Sequence, residues 1–310
     1  MIGSISAMWF WFSLAALLCW SGSDLFSKIG CQDEKDKYSH LKMVSAVGIV
    51  MGLHALYQII FGGVEISLSI ILTYLPVSLL YISSMALGYL GLRYIELSIS
   101  SPICNSSGAV VAVLTIATVG LSADVPPAAL IAVALVCIGV ISLGITEANE
   151  DEELRRARQD ESNRHYAKSW IAIVIPVIYC LLDALGTFAD NRVLEILDED
   201  SANAAYELTF LAVGLVCAVY VLLVKKQKLT AKQELPKYVG ALCETVGQFF
   251  YIYAIADTEH VAFAAPIISS YCVASVIWGR LFLKEKLSRK HYLSIAVVVL
   301  GIVIMGILDI

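Results

Sequence analysis

Ten apolar runs of spanning length follow one another along this chain, at roughly Met8–Lys28, Met43–Phe61, Leu72–Leu92, Ser98–Gly120, Ala128–Thr146, Trp170–Ala189, Ala204–Val224, Tyr238–Ala256, Val261–Leu283 and Tyr292–Leu308. Each is about 17–23 residues long, the length an α-helix needs to cross the hydrocarbon core of a bilayer. In lipid, backbone N–H and C=O groups must be satisfied within the segment, so runs of this kind read as helices. Charge is scarce enough to permit all ten: 15% of the 310 residues are charged and 59% hydrophobic, against roughly 25% charged in a soluble domain. The sequence therefore predicts an all-α integral membrane protein with ten transmembrane helices. The same balance excludes a disordered chain. A net charge of −6 with dispersed basic residues argues against nucleic-acid binding. The first run has no positive n-region, since Met1–Ala7 is uncharged, and no small-residue cleavage site follows it, so it is read as a retained helix.

One connection is long and strongly polar, Glu147–Lys168, acidic in its first half and basic in its second. It reads as a solvated helical linker with internal charge pairing. It divides the chain into a five-helix unit at residues 1–146, the linker at 147–168 and a second five-helix unit at 169–310. Of the 21 Lys and Arg residues, 20 fall on the odd-numbered connections or the helix ends abutting them, and Arg192 alone falls on the other side. By the positive-inside rule the odd connections are cytoplasmic and both termini face out of the cell, in a multi-pass protein of the cytoplasmic membrane. The eight cysteines are at least twelve residues apart, with no metal-ligand spacing, and read as free thiols packed between helices. No metal or cofactor is implied.

The two halves match at an offset of 162 to 164: Pro102-Ile103 falls on Pro266-Ile267, Asn105-Ser106 on Ser269-Ser270, Ile131-Ala132-Val133 on Ile295-Ala296-Val297, and Gly139 with Gly144 on Gly301 with Gly306. In the first helix of each half, Trp9, Phe26 and Lys28 fall near Trp170, Phe188 and Asp190. An odd number of helices per unit makes the second enter the membrane from the opposite side, a 5+5 inverted repeat. Secondary transporters use this plan, with the substrate near the midplane between the repeats.

The chain resembles the EamA family of the drug/metabolite transporter superfamily. The resemblance rests on Tyr89-Leu90-Gly91-Leu92-Arg93-Tyr94-Ile95-Glu96-Leu97-Ser98 leading to Pro102, on Tyr251-Ile252-Tyr253-Ala254-Ile255-Ala256 leading to Pro266, and on Phe282-Leu283-Lys284-Glu285-Lys286-Leu287-Ser288. The first copy departs from the last of these, reading Gly120-Leu121-Ser122-Ala123-Asp124-Val125. The resemblance implies a transporter fold with a central cavity to which the second repeat contributes, and a proline opening the fourth helix of each repeat. Many members have both termini cytoplasmic; the charge count here gives the opposite orientation.

Ionisable side chains inside a span are costly and mark function by default. Asp183, Glu244 and His54 fall near mid-span, and Asp24 nearer the cytoplasmic end, where it can pair with Lys28 at i, i+4. Tyr179, Asp183, Thr187 and Asp190 form a polar stripe on the sixth helix, after Pro176. Glu244, Gln248 and Tyr251 form one on the eighth, and His54, Tyr57 and Gln58 one on the second. Interhelical hydrogen bonding is the plainer role for each stripe. A lone mid-membrane carboxyl instead points to a coupling proton or to a bound amine. Trp20, one turn before Asp24, is a cavity wall or a packing residue, and Asn105 with Gly108, Ala109 and Ala112 gives the fourth helix a small-residue face. Pro102 and Pro266, at the start of the fourth and ninth helices, fit a helix's first turn, where a missing N–H costs little.

The favoured function is secondary transport of a small polar metabolite, an amino acid, amine or similar solute, by alternating access, coupled to protons or by exchange. A polytopic membrane enzyme would need a His, Asp or Cys cluster at one membrane face, and none is present in the sequence. A channel would need a ring-forming filter sequence. A non-transporting membrane protein is the remaining alternative; counterflow in reconstituted vesicles separates it from a carrier.

Overall fold

The structure is a computed structural model that describes residues 8–33, 36–119, 127–160, 171–255 and 270–307, with 264, 267 and 268. The regular elements among these are all helical: α1 (Met8–Cys31), α2 (Ser39–Phe61), α3 (Leu68–Gly91), α4 (Leu97–Cys104), α5 (Ser107–Val119), α6 (Pro127–Asn149), α7 (Glu152–Asp160), α8 (Ile171–Val193), α9 (Glu199–Val219), α10 (Ala231–Ile255), α11 (Tyr271–Phe282) and α12 (Arg289–Ile307). Among the described residues, four stretches are long and apolar enough to cross a membrane: Ser39–Phe61, Leu68–Gly91, Ile173–Val193 and Glu199–Val224. Leu130–Leu143 and Tyr271–Phe282 are shorter apolar helices. Large aliphatic and aromatic side chains such as Trp11, Leu53, Phe61, Leu72, Ile141 and Leu223 stand on the outer faces, more than half exposed. A monomer in water rarely exposes continuous apolar surface on this scale; against lipid such faces are at home.

Local chemistry sets the helix ends. Ser67 and Asp198, both in extended backbone, accept from the N–H groups of Ile70 at 3.2 Å and Ser201 at 2.9 Å and so cap α3 and α9. In the linker, α7 carries an i, i+4 pair between Arg156 and Glu152. All eight cysteines are free thiols.

The fourth apolar run does not form one helix. It splits into α4 and α5 at a turn over Asn105 and Ser106. Asn105 Nδ2 donates to the Ser101 carbonyl at 2.8 Å, and Ser106 Oγ to that of Ile103 at 2.7 Å. Such local side-chain bonds give the backbone an alternative to the helical ladder. Pro102 is the sixth residue of α4, not part of its first turn as the sequence predicts. It has no N–H to give to the turn before it, which weakens the helix just ahead of the break. Ser270, immediately before α11, donates to the Ile267 carbonyl in the same way, at 2.5 Å. Pro266 lies outside the described residues.

Helices from the first half pack on helices from the second: α1 on α10, α2 on α9, α3 on α8 and α6 on α12. The α6–α12 contact is closest at two glycines. A Cβ on Gly139 would lie 2.6 Å from Val298 Cγ2, and one on Gly301 would lie 2.8 Å from Val136 Cγ2. Small residues let transmembrane helices approach this closely.

Candidate functional site

A cavity of about 160 Å³ opens between α1, α3, the α4–α5 break, α8, α10 and α11. Each helix presents a face at helical spacing. From α1 come Trp20, Ser23, Asp24 and Ser27; from α8, Tyr179, Asp183 and Thr187; from α10, Glu244, Gln248 and Tyr251. The break contributes Ser101, Asn105 and Ser107, and α3 contributes Tyr81, Met85, Gly88 and Tyr89. Nine of the residues singled out from sequence therefore meet around one space: Asp24, Asp183, Glu244, Tyr179, Thr187, Gln248, Tyr251, Asn105 and Trp20. The side chains at 108, 109 and 112 lie outside the described residues.

Other members of the sequence-derived set stand elsewhere. His54 is not in the cavity lining; its Nδ1 lies 2.8 Å from Glu207 Oε2, an ion-pairing contact between α2 and the fully buried Glu207 of α9. Pro102 lies behind the wall, in α4. Asp190, the end of the α8 stripe, accepts from Tyr74 Oη at 2.6 Å and Tyr81 Oη at 3.4 Å. The expected pair between Asp24 and Lys28 does not form. Asp24 Oδ2 accepts from Ser101 Oγ at 2.5 Å and Ser275 Oγ at 2.7 Å. Lys28 instead donates to the carbonyls of Leu92 and Ile95, both at 2.6 Å. Those carbonyls follow α3, where the helix leaves acceptors unsatisfied and favours a cation.

Lys28 belongs to a polar cluster at the end of the cavity bounded by Ser27, Leu92 and Leu97. There Lys42 Nζ bridges Asp36 at 2.8 Å and Glu234 at 3.1 Å, and Lys237 Nζ lies 3.1 Å from Glu234. Arg93 donates to Ser39 Oγ at 2.6 Å and to the Asp36 carbonyl. Glu285 accepts from the N–H groups of Leu97 and Ser98, at 3.0 Å each, and from Ser98 Oγ at 2.5 Å, capping α4 from the far half of the chain. These contacts bring together the connection after α1, the start of α10 and the segments that flank α4 and follow α11.

Sequence reading missed most of the aromatic wall. Tyr81, Tyr89, Tyr206 and Tyr271 all line the cavity. A usable signal was present on α3, where Tyr81, Met85, Gly88, Tyr89 and Leu92 recur at i, i+4, i+7, i+8 and i+11. Glu207 was missed too, although it lies inside the seventh apolar run, three residues from its start, where an acid passes for an end of the span.

Residues 170–307 match the model of the EamA-like transporter family, as the resemblance in sequence implied, which is consistent with the drug/metabolite transporter superfamily. The matched family is one of transporters, and the match covers the second half of the chain. No curated protein matches the chain closely enough to count as a relative. One solved structure, described as "Crystal structure of protein", aligns over 96% of this chain and 97% of its own with a TM-score of 0.61 at 13% identity. At that identity the likeness is one of fold.

Proposed function

We propose that the protein is a secondary transporter that carries a small polar metabolite across the cytoplasmic membrane by alternating access, with ten spans arranged as a 5+5 inverted repeat. The observation that carries this reading is the cavity itself, its largely apolar wall set with acidic, amide and hydroxyl side chains from both halves of the chain and bounded on one side by a broken helix. Broken helices beside a central site are the recurring device of such carriers.

The contacts between halves support the repeat. Gly88 faces Tyr179 across α3 and α8, while Gly247 faces Trp20 across α10 and α1. Adding 159 to Gly88 and to Trp20 gives Gly247 and Tyr179, so each contact is the image of the other. Gly139 against Val298 and Gly301 against Val136 are likewise images, at an offset of 162. The turns before Ser107 and before Tyr271, with the bonds of Ser106 and Ser270, correspond at 164. Two bodies related in this way can rock about the shared cavity and expose it to each side in turn.

Counterflow tests the reading. Vesicles containing the purified protein and preloaded with a metabolite mixture are expected to accumulate labelled solute transiently and saturably. Equal signals in protein-free vesicles for every class of solute tried would remove the carrier.

A further inference from the structure

Three carboxyl side chains line the cavity, Asp24, Asp183 and Glu244, and no lysine, arginine or histidine does so among the described residues. Nearby cations are engaged elsewhere: Lys28 with backbone carbonyls, and Lys42 and Lys237 with Asp36 and Glu234. Buried carboxylates without a counter-charge are unfavourable by several kcal/mol each, and a positive ligand offsets that. The rest of the wall suits a cation as well. Six tyrosines line the space with Trp20, whose ring centroid lies 5.0 Å from that of Tyr251 and 5.8 Å from that of Tyr271. Aromatic faces attract ammonium groups most strongly where water is excluded.

Two hydroxyls in the wall give an independent sign. Among the described residues, Tyr89 Oη and Ser27 Oγ are buried with no hydrogen-bond partner, in residues only 6% and 1% exposed, and Trp20 Nε1, a donor, is the third unpaired polar atom of the wall. Buried polar groups are normally paired, and a hydroxyl oxygen accepts from the N–H donors of an amine. Asp24 and Asp183 also stand 159 apart, the offset given by the paired contacts of Gly88 with Tyr179 and Gly247 with Trp20 in place of the 161–162 read from sequence for these helices, so by those contacts each half offers the cavity one acid at an equivalent place.

Resting on the transport reading, we propose that the ligand of this cavity is a small organic cation, an amine whose ammonium group is held by Asp24 and Asp183 and whose hydrocarbon part lies against the tyrosine and tryptophan rings. Anionic solutes are repelled by the same acids. Because the two acids belong to opposite halves, the bound cation touches both of the bodies that must rock.

The test is thermal unfolding of the purified full-length protein at constant ionic strength, titrated with n-pentylamine, pentanoate and pentanol. Pentylamine is expected to raise the midpoint in a saturable way, since a ligand that binds only the folded state stabilises it; pentanoate and pentanol are not. Asp183→Asn and Asp24→Asn should weaken the amine about ten- to a hundredfold, the loss of one charged hydrogen bond. Tyr89→Phe removes a hydroxyl without a protein partner, so it should fold normally and still bind the amine more weakly. Tyr57→Phe, 59% exposed on α2, should bind as the parent does. Equal stabilisation by all three solutes, or an amine effect unchanged in Tyr89→Phe and in whichever Asp variants fold, overturns the proposal. Counterflow of an anionic or neutral solute without an amine effect also overturns it and leaves the carrier standing. Amine binding without counterflow of any solute upholds the cation site and removes the carrier.

Discussion

Glu285 shows how one side chain can tie distant parts of the bundle together. It lies in the stretch that carries the family resemblance, and its three bonds at the start of α4 hold the broken helix in place from 188 residues away. Glu285→Ala leaves two backbone donors of α4 buried without an acceptor. The expected cost is about 1.5–3 kcal/mol, the range for bonds to a charged group, read as a lowered unfolding midpoint in detergent; an unchanged midpoint would mean that water replaces the carboxylate. Glu244 stands differently. Subtracting 159 places it on Met85, so it is the cavity acid without an acidic counterpart. That asymmetry suits a coupling group more than a ligand anchor. Glu244→Gln keeps the shape and deletes the charge, and it is expected to abolish accumulation driven by a pH gradient while leaving solute exchange, which moves no net proton. Loss of both activities, or of neither, would assign the proton elsewhere. At this scale the sequence picked out the acids that line the cavity and gave no sign of their partners. Asp183, Glu244 and Asp24 are conspicuous because charge in a span is rare. The serines that hold Asp24 lie on α4 and α11, and no local pattern connects them to α1.

Among the helices, hydrophobic length was readable because the bilayer fixes it. Four of the described helices fall on apolar runs and have the length and hydropathy of a span, while the fourth run breaks in two and the ninth is described only in part. The break in the fourth depends on Asn105, Ser106 and Pro102 acting together, and each alone is tolerated inside a transmembrane helix. Pro102→Ala restores the missing N–H and favours a straighter α4, which should shift Asn105 and Ser107 relative to Asp183 across the cavity. Transport is expected to fall more than expression; full activity would remove the proline from the mechanism. The α6–α12 contact makes the opposite expectation, a loss of stability. Gly139→Leu or Gly301→Leu forces side-chain atoms into the backbone of the facing helix. Overpacking of this kind costs about 1–3 kcal/mol, so expression and melting temperature should drop for both variants by similar amounts, as the reciprocal contacts require. The glycine spacing was visible in the repeat, but that each glycine faces a valine on the matching helix was not, because pairing between distant helices leaves no periodic trace.

Over the whole molecule, the buried ion pairs at one end of the cavity join the connection after α1, the start of α2 and the start of α10, while Arg93 and Glu285 bring in the segments around α4. Under the positive-inside rule this is the cytoplasmic end. A reporter fused after Ile310 is then expected outside the cytoplasm and one within Glu147–Lys168 inside; a cytoplasmic C-terminus would reverse the orientation. If the cluster is the closed inner gate of an alternating-access cycle, weakening it must populate the state open to the cytoplasm, and about 1.4 kcal/mol is enough for a tenfold shift. Glu234→Gln removes one of the two acids that Lys42 and Lys237 share, the other being Asp36. Cys104, buried in the cavity wall, reports the opening once the other seven cysteines are replaced by serine. A charged, membrane-impermeant thiol reagent applied from the cytoplasmic side should then label Cys104 faster in Glu234→Gln than in the parent, with the opposite change from the outer side. Faster labelling from both sides would indicate general loosening, and equal rates would leave the ion pairs as ballast for the bundle with no part in gating. Only the reciprocal change is what two bodies rocking about one shared cavity require, because opening one end must close the other.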